Sequence, residues 1–154
     1  MKVCDQYSHQ KGLETIQAKG NLLHELINIL TYKGLYFGKN FSKEIKSKVS
    51  ERFNQNGWAD NVKVGNSNLT INFMKSKVGV CFQIGNVART YADILKLSLL
   101  NKNGIIDVGI IIVPHKLESK MMGANYAQFD RLAKELYQFT DIVPVPILIF
   151  GLSN

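Results

Sequence analysis

Cysteines and long apolar runs are scarce in this chain of 154 residues, and each scarcity excludes a class of protein. The two cysteines, Cys4 and Cys81, form no Cys-x-x-Cys pair, which indicates reduced thiols instead of a disulfide framework. No apolar run approaches the roughly 20 residues that cross a bilayer, and the N-terminal residues lack the apolar core of a signal peptide. We therefore expect a cytoplasmic protein with no membrane partner.

Arginine is also scarce, although the chain is basic. Nineteen Lys and Arg oppose 12 Asp and Glu, which gives a formal net charge of +7, yet only three of these cations are Arg. An excess of this size suits a polyanionic partner such as nucleic acid. Because bidentate reading of guanine edges favours Arg, a Lys-rich chain is better suited to phosphate contact than to base readout. A basic protein without a nucleic-acid partner is the alternative that charge alone leaves open.

The order of apolar patterns predicts a single α/β domain over residues 1–154. Amphipathic helices come first, a hairpin follows, and helices and apolar strands then alternate. The expected elements are helices that begin at Asn21 and Ser42, hairpin strands near 69–73 and 78–84, a helix from Asn86 to about Leu100, a strand over 104–113, a helix over 125–138 and a strand over 146–151. The helix after Asn86 is expected to pack through Val87, Tyr91, Leu95 and Leu99. This order is typical of an α/β sandwich around a mixed sheet.

The hairpin places three side chains where a metal ion could be held between two strands. Cys81 and Gln83 lie two apart on the second strand and face one side, and Asn72 of the first strand can converge on that side. Mg²⁺ prefers anionic oxygen ligands, whereas Asn72 offers a neutral carbonyl oxygen and Cys81 is a soft ligand. The hairpin therefore has the geometry of a magnesium site without its carboxylates.

Several short strings along the chain carry a resemblance to a known family. They are Tyr7-Ser8-His9, Gly12-Leu13-Glu14, Ile16-Gln17, Gly57-Trp58, Phe82-Gln83 with Gly85, Ile106-Asp107-Val108-Gly109, Val113-Pro114, Tyr126 and the closing Pro144 to Gly151. In this order they resemble the BglII/BstYI family of type II restriction endonucleases, of the PD-(D/E)XK superfamily. The resemblance implies a restriction-endonuclease-like sandwich, with a central mixed β-sheet flanked by helices. It also implies a homodimer that clasps duplex DNA and cuts GATC-centred palindromes with Mg²⁺.

The resemblance assigns the family's metal-binding residues to positions where this chain has other residues. The family's Asp falls on Asn72, its Glu on Cys81 and its Gln on Gln83. Loss of one general-base or electrostatic contribution commonly lowers the rate about 10²–10⁴-fold, and loss of both metal-binding carboxylates should be worse. We therefore expect a duplex-DNA-binding pseudo-nuclease that holds no metal or other cofactor, with Mg²⁺ expected only if the protein is active.

The expected phosphate contacts are cations of the second helix and of the hairpin turn. They are Lys43, Lys46, Arg52, Lys75 and Lys77. A solvated helix surface is the alternative interpretation of the helical ones. The segment before the hairpin is shorter than in the family, which argues against site-specific readout. Asp107 is expected to be a structural hydrogen-bonding group in the buried strand.

Three further interpretations stay open at this stage. A carboxylate from a flanking helix could restore an active Mg²⁺-dependent restriction endonuclease. Glu51 is the preferred candidate, and Glu44 and Asp93 are the other acids considered. Helix-surface charge is the more common role for each of them. Cys81 could bind zinc with a histidine, but no Cys/His spacing supports this, and a small buried hydrophobe is the ordinary interpretation. A regulatory or inhibitory partner could form a heterodimer with an active homologue through the family's dimer surface.

Overall fold

The computed structural model describes residues 1–38 and 41–154, in which one six-stranded mixed sheet lies between two groups of helices. The strands, in their order across the sheet, are β1 (Lys2–His9), β6 (Ile147–Ser153), β5 (Val108–Pro114), β4 (Val78–Phe82), β3 (Thr70–Lys75) and β2 (Ala59–Lys63). β4, β5 and β6 are parallel, and the outer pairs are antiparallel. The expected fold class is confirmed.

Six helices cover the two faces of the sheet in the described ranges. They are α1 (Gly12–Gln17), α2 (Leu22–Leu30), α3 (Ser42–Gln55), α4 (Ala88–Lys102), α5 (Lys116–Met122) and α6 (Phe129–Gln138). The first three pack on one face, and α4 and α6 pack on the other. In β5, Ile110 and Ile112 enter the first core while Ile111 and Val113 enter the second. This explains why β5 is apolar at nearly every position, as in strands covered on both sides.

The chain begins with a strand, whereas the sequence predicted helices first. β1 lies at the edge of the sheet, and most of its side chains are exposed, so it lacks the alternating apolar pattern that indicates a strand. β2, at the opposite edge, is missed for the same reason. The predicted second helix is confirmed as α3, whose buried residues are Ile45, Val49 and Phe53.

The prediction of the packing face of α4 is wrong. Its buried residues are Thr90, Asp93, Ile94, Leu97 and Leu100, whereas Leu95 is 69% exposed and Leu99 is 42% exposed. The helix carries two apolar stripes, and periodicity alone does not tell which one faces the sheet. The helix was predicted to begin at Asn86; the N-cap of α4 is Val87, and the Asn86 side-chain oxygen accepts a hydrogen bond from the Ala88 N–H at 2.9 Å.

Within the described ranges, no helix has both the length and the apolar character that a membrane span needs.

Candidate functional site

A cleft of about 390 Å³ opens beside the hairpin, between α3 and α4. Its polar lining comes from α3 (Lys46, Ser50), β2 (Asp60, Asn61), the hairpin (Thr70, Asn72, Gln83) and α4 (Arg89, Asp93, Lys96). The structure therefore brings Asn72 and Gln83 together, as the sequence predicted. Sequence reasoning did not predict that Asp60, Arg89 and Lys96 also line this cleft.

Asn72 uses its side-chain oxygen inside the hairpin. Asn72 Oδ1 accepts a hydrogen bond from the Phe82 N–H at 2.8 Å, just beyond the last regular pair of the two strands, Phe73 and Val80. The amide oxygen thus replaces a rung of the ladder and satisfies a strand N–H. This hydrogen bond has a structural role, and it directs the Asn72 side-chain oxygen toward the backbone of β4.

Cys81 is fully buried in the core between the sheet and α4, as expected for a small hydrophobe. Burial raises the pKa of its thiol well above the usual value, and the charge of Asp93 raises it further. The thiol is therefore neutral at physiological pH. A neutral buried thiol is a poor ligand for a hard cation.

Asp93 supplies the carboxylate that lies next to the hairpin motif. Only 4% of the residue is exposed. Its Oδ2 accepts a hydrogen bond from Gln83 Nε2 at 3.2 Å, and its Oδ1 lies 2.6 Å from Lys96 Nζ. Lys96 Nζ also donates to the Thr70 carbonyl at 2.9 Å. The interpretation of Asp93 as helix-surface charge is therefore wrong, because the same error of helix phase that misplaced Leu95 also placed Asp93 outside.

Glu51 does not lie in this cleft. It lines a separate groove on the other side of α3, together with Tyr32, and accepts hydrogen bonds from Lys48 at 3.2 Å and Gln55 at 3.3 Å. Of the helical acids considered from the sequence, Asp93 is the one that contacts a motif residue in the described part of the chain.

The predicted DNA-binding cations fall into two groups. Lys43 and Lys46 are exposed on α3, and the Lys77 side chain is 59% exposed, 3.9 Å from an Asp107 oxygen. Arg52, in contrast, donates to the carbonyls of Asn28 in α2 and of Thr31, and Lys75 bonds to the Glu25 carboxylate and the Asn56 carbonyl. The last two cations therefore hold α2 and α3 against the hairpin.

Asp107 has an ion-pairing role at the start of β5. Its Oδ2 accepts a hydrogen bond from Lys19 Nζ at 2.7 Å, and this bond lowers the pKa of the Asp107 carboxyl. The hydrogen bond to Lys19 agrees with the predicted structural role. The predicted position inside the buried strand is wrong, because β5 begins at Val108 and the Asp107 side chain is 44% exposed.

Comparisons with known proteins agree with this fold. A family model described as Endonuc-BglII, restriction endonuclease BglII/BglIII, matches residues 4–152. The fold is similar to the crystal structure of restriction endonuclease BglII complexed with a DNA 16-mer, with a TM-score of 0.85 and 17% identity, over 100% of this chain and 77% of that one. It is also similar to the crystal structure of free BglII, with a TM-score of 0.78 and 18% identity, over 100% of this chain and 80% of that one. No curated protein sequence matches the chain.

Proposed function

The chain belongs to the restriction endonuclease BglII/BglIII family. From this premise we propose that its cleft binds duplex DNA and that its ability to hydrolyse the DNA is impaired. The observation that carries the proposal is the cleft itself. Cations from α3 and α4 line it, but neither of the two metal-binding positions of the motif carries a carboxylate. The similar BglII structure that contains DNA supports duplex DNA as the partner.

The motif positions do not fit the Mg²⁺ ion that the family implies. The oxygen of Asn72 is turned to a backbone N–H, and Cys81 is a neutral buried thiol. Two other carboxylates line the cleft: Asp93 is already bonded to Lys96 and Gln83, and Asp60 belongs to β2, outside the motif. Since Mg²⁺ needs anionic oxygens in near-octahedral geometry, we assign no hydrolytic step to this arrangement.

The proposed phosphate contacts in the cleft are Lys46 from α3 and Arg89 from α4, with Lys43 exposed on the same helix as Lys46. Lys77 does not line the cleft: it lies in the hairpin turn, 3.9 Å from an Asp107 oxygen, so its proposed phosphate contact is outside the cleft. Arg52 and Lys75 are expected to contribute less, because their donors are held by acceptors within the chain. Binding by such contacts depends steeply on salt, since each neutralised phosphate releases counterions.

Lys46→Ala is expected to weaken duplex binding several-fold and to lower the salt slope by about 0.9 log units per lost phosphate contact. Arg89→Ala is expected to act in the same direction. Fluorescence anisotropy with a labelled duplex at several salt concentrations measures both quantities. The matched control is Lys48→Ala, on the same helix but paired with Glu51 outside the cleft. Equal loss in Lys46→Ala and Lys48→Ala, or binding that does not respond to salt, would contradict the proposal.

We also propose a homodimer that forms through the exposed side of α4. Leu95 and Leu99 are exposed there, and Ile142, which lines the same groove as Leu95, is 73% exposed. Leu95 and Ile142 line an apolar groove of about 220 Å³, together with Tyr91, Ile94, Phe139 and Val143. Large exposed apolar patches mark interaction sites. The same surface suits a heterodimer with an active homologue, which is the regulatory alternative.

Leu95→Asp is expected to convert the dimer to a monomer, because it places a charge within an apolar interface. Sedimentation equilibrium measures the change in mass. The control is Leu117→Asp, since Leu117 is 67% exposed on α5, outside this patch. A wild-type protein that is monomeric at high concentration would exclude the homodimer. If the mass of the complex rises above that of the monomer only when the protein is mixed with an active relative, the heterodimer is supported instead.

A second candidate function is Mg²⁺-dependent cleavage with Asp93 as the relocated acid. It is favoured by one observation, the burial of this carboxylate against Gln83. Cleavage of plasmid DNA that is lost in the Asp93→Asn variant, with DNA binding retained, is the result that this candidate requires.

A further inference from the structure

A cluster of metal-ligating side chains lies near the opposite edge of the sheet from the cleft. Cys4 and Asp5 belong to β1, and His115 follows directly after β5. The nearest ligand atoms of these three side chains all lie within 4.8 Å of one another. His115 Nε2 is 3.2 Å from Asp5 Oδ2 and 3.8 Å from an oxygen of Asp130, at the start of α6.

A β-bulge explains how two consecutive residues of β1 reach the same histidine. Consecutive side chains of a regular strand point to opposite faces of the sheet. In β1, however, Val3 pairs with Leu152 and Asp5 pairs with Gly151, so Cys4 is an extra residue in the ladder. A bulge re-aims side chains locally, which brings Cys4 and Asp5 toward one point. On the other side, the His115 N–H donates to the Leu152 carbonyl at 2.7 Å and fixes the backbone of the histidine.

We propose that Cys4, Asp5 and His115 bind a Zn²⁺ ion, with Asp130 as the fourth ligand. A tetrahedral zinc ion with sulfur, nitrogen and oxygen ligands keeps the ligand atoms about 3.3–3.6 Å apart. The two separations from His115 Nε2, 3.2 Å and 3.8 Å, lie close to this range. The mixed donor set of thiolate, imidazole and carboxylate suits zinc and not magnesium.

The charge around Cys4 supports a cation at this position. The carboxylates of Asp5 and Glu118 place negative charge near the Cys4 thiol. Glu118 is 7% exposed, and its Oε2 has no hydrogen-bond partner among the described residues. A divalent cation would offset this negative charge and stabilise the thiolate. The site is open to an ion from solvent, since about half of the Asp5 and Asp130 side chains is exposed.

The test is Zn²⁺ binding by the full chain after removal of metals with a chelator. Competition against a chromophoric chelator is expected to give one Zn²⁺ per chain. Co²⁺ in its place is expected to give a thiolate charge-transfer band and the visible bands of a tetrahedral ion. Cys4→Ser should abolish the charge-transfer band, and His115→Ala should weaken Zn²⁺ binding by more than the roughly 10–100-fold that follows loss of an outer-shell partner.

Matched controls separate this site from nonspecific binding and from misfolding. His24→Ala removes another histidine, and Cys81→Ala removes the other thiol; neither should change Zn²⁺ affinity. Asp5→Asn is a mild variant at an exposed side chain, and it should lose affinity while its melting temperature without metal stays near that of wild type. Absence of Zn²⁺ binding, or equal affinity in wild type, Cys4→Ser and His115→Ala, would overturn the proposal and leave His115 as a polar neighbour of two aspartates.

Discussion

Wild-type protein is expected to leave unmethylated plasmid intact with Mg²⁺ or Mn²⁺, whereas the Asn72→Asp/Cys81→Glu variant is expected to cut it. The two substitutions put carboxylates at the positions where the family has its Asp and Glu, and they leave Gln83 in place. A pair of anionic oxygens gives Mg²⁺ the ligands that Asn72 and Cys81 do not offer. We expect a gain of at least about 10²-fold in cleavage rate, in line with the usual effect of one such contribution.

The second variant for this experiment deals with charge repulsion in the buried site. A Glu at position 81 lies beside Asp93, whose charge already raises the pKa of the thiol there. Adding Asp93→Asn removes that repulsion and keeps an oxygen that can accept from Lys96. Thermal melting and duplex binding show whether each variant is folded. If wild type cleaves DNA and Asp93→Asn does not, the relocated-acid enzyme replaces the pseudo-nuclease proposal. If the triple variant is folded and binds Mg²⁺ and DNA but does not cut, our explanation of the impaired hydrolysis is contradicted.

The parts of the fold that sequence reasoning predicted are those that bury continuous apolar surface. β5 is buried at all seven positions, and α3 buries a residue at every fourth position, so each gives a strong signal. β1 and β2 lie at the two edges of the sheet and are largely exposed. Their positions are determined by pairing, β1 with β6 and β2 with β3. β6 is distant from β1 in sequence, and the residues of β2 show no apolar pattern that would indicate its pairing with β3.

In the candidate site, an error of helix phase led the sequence prediction to miss the inward position of Asp93, a residue that lines the cleft. When Leu95 and Leu99 are assigned to the core, Asp93 falls on the solvent side of α4. The alternative stripe of Ile94, Leu97 and Leu100 turns Asp93 inward, toward Gln83. The signal available in the sequence was Asp93 itself, a charged residue on the same face of the helix as Ile94, Leu97 and Leu100. For the Cys4 cluster no such signal exists, because its members meet only through a bulge and a crossover of the sheet.

The buried Asp93–Lys96 pair is expected to be the most sensitive charge pair of the described chain. Asp93→Ala removes one partner and leaves Lys96, whose side chain is 16% exposed, without its carboxylate. Removing one partner of a buried pair costs about 3–5 kcal/mol, since an uncompensated charge stays in a poorly solvated place. The hydrogen bond from Lys96 to the Thr70 carbonyl relieves part of this cost, so we expect a loss near 3 kcal/mol in the free energy of unfolding measured with urea.

The exposed pair on α3 gives a matched control for this loss of stability. Lys48 and Glu51 have the same i, i+3 spacing, but about half of each side chain is exposed. Glu51→Ala should therefore change stability by only about 0–1 kcal/mol. Replacing both buried partners, as in Asp93→Leu/Lys96→Met, should recover most of the loss, because no charge is then left unpaired. If Asp93→Ala costs no more than Glu51→Ala, Asp93 is not held by Lys96 as the structure indicates. Recovery in the double variant together with unchanged duplex binding would instead show that the pair stabilises the wall of the cleft and takes no part in holding DNA.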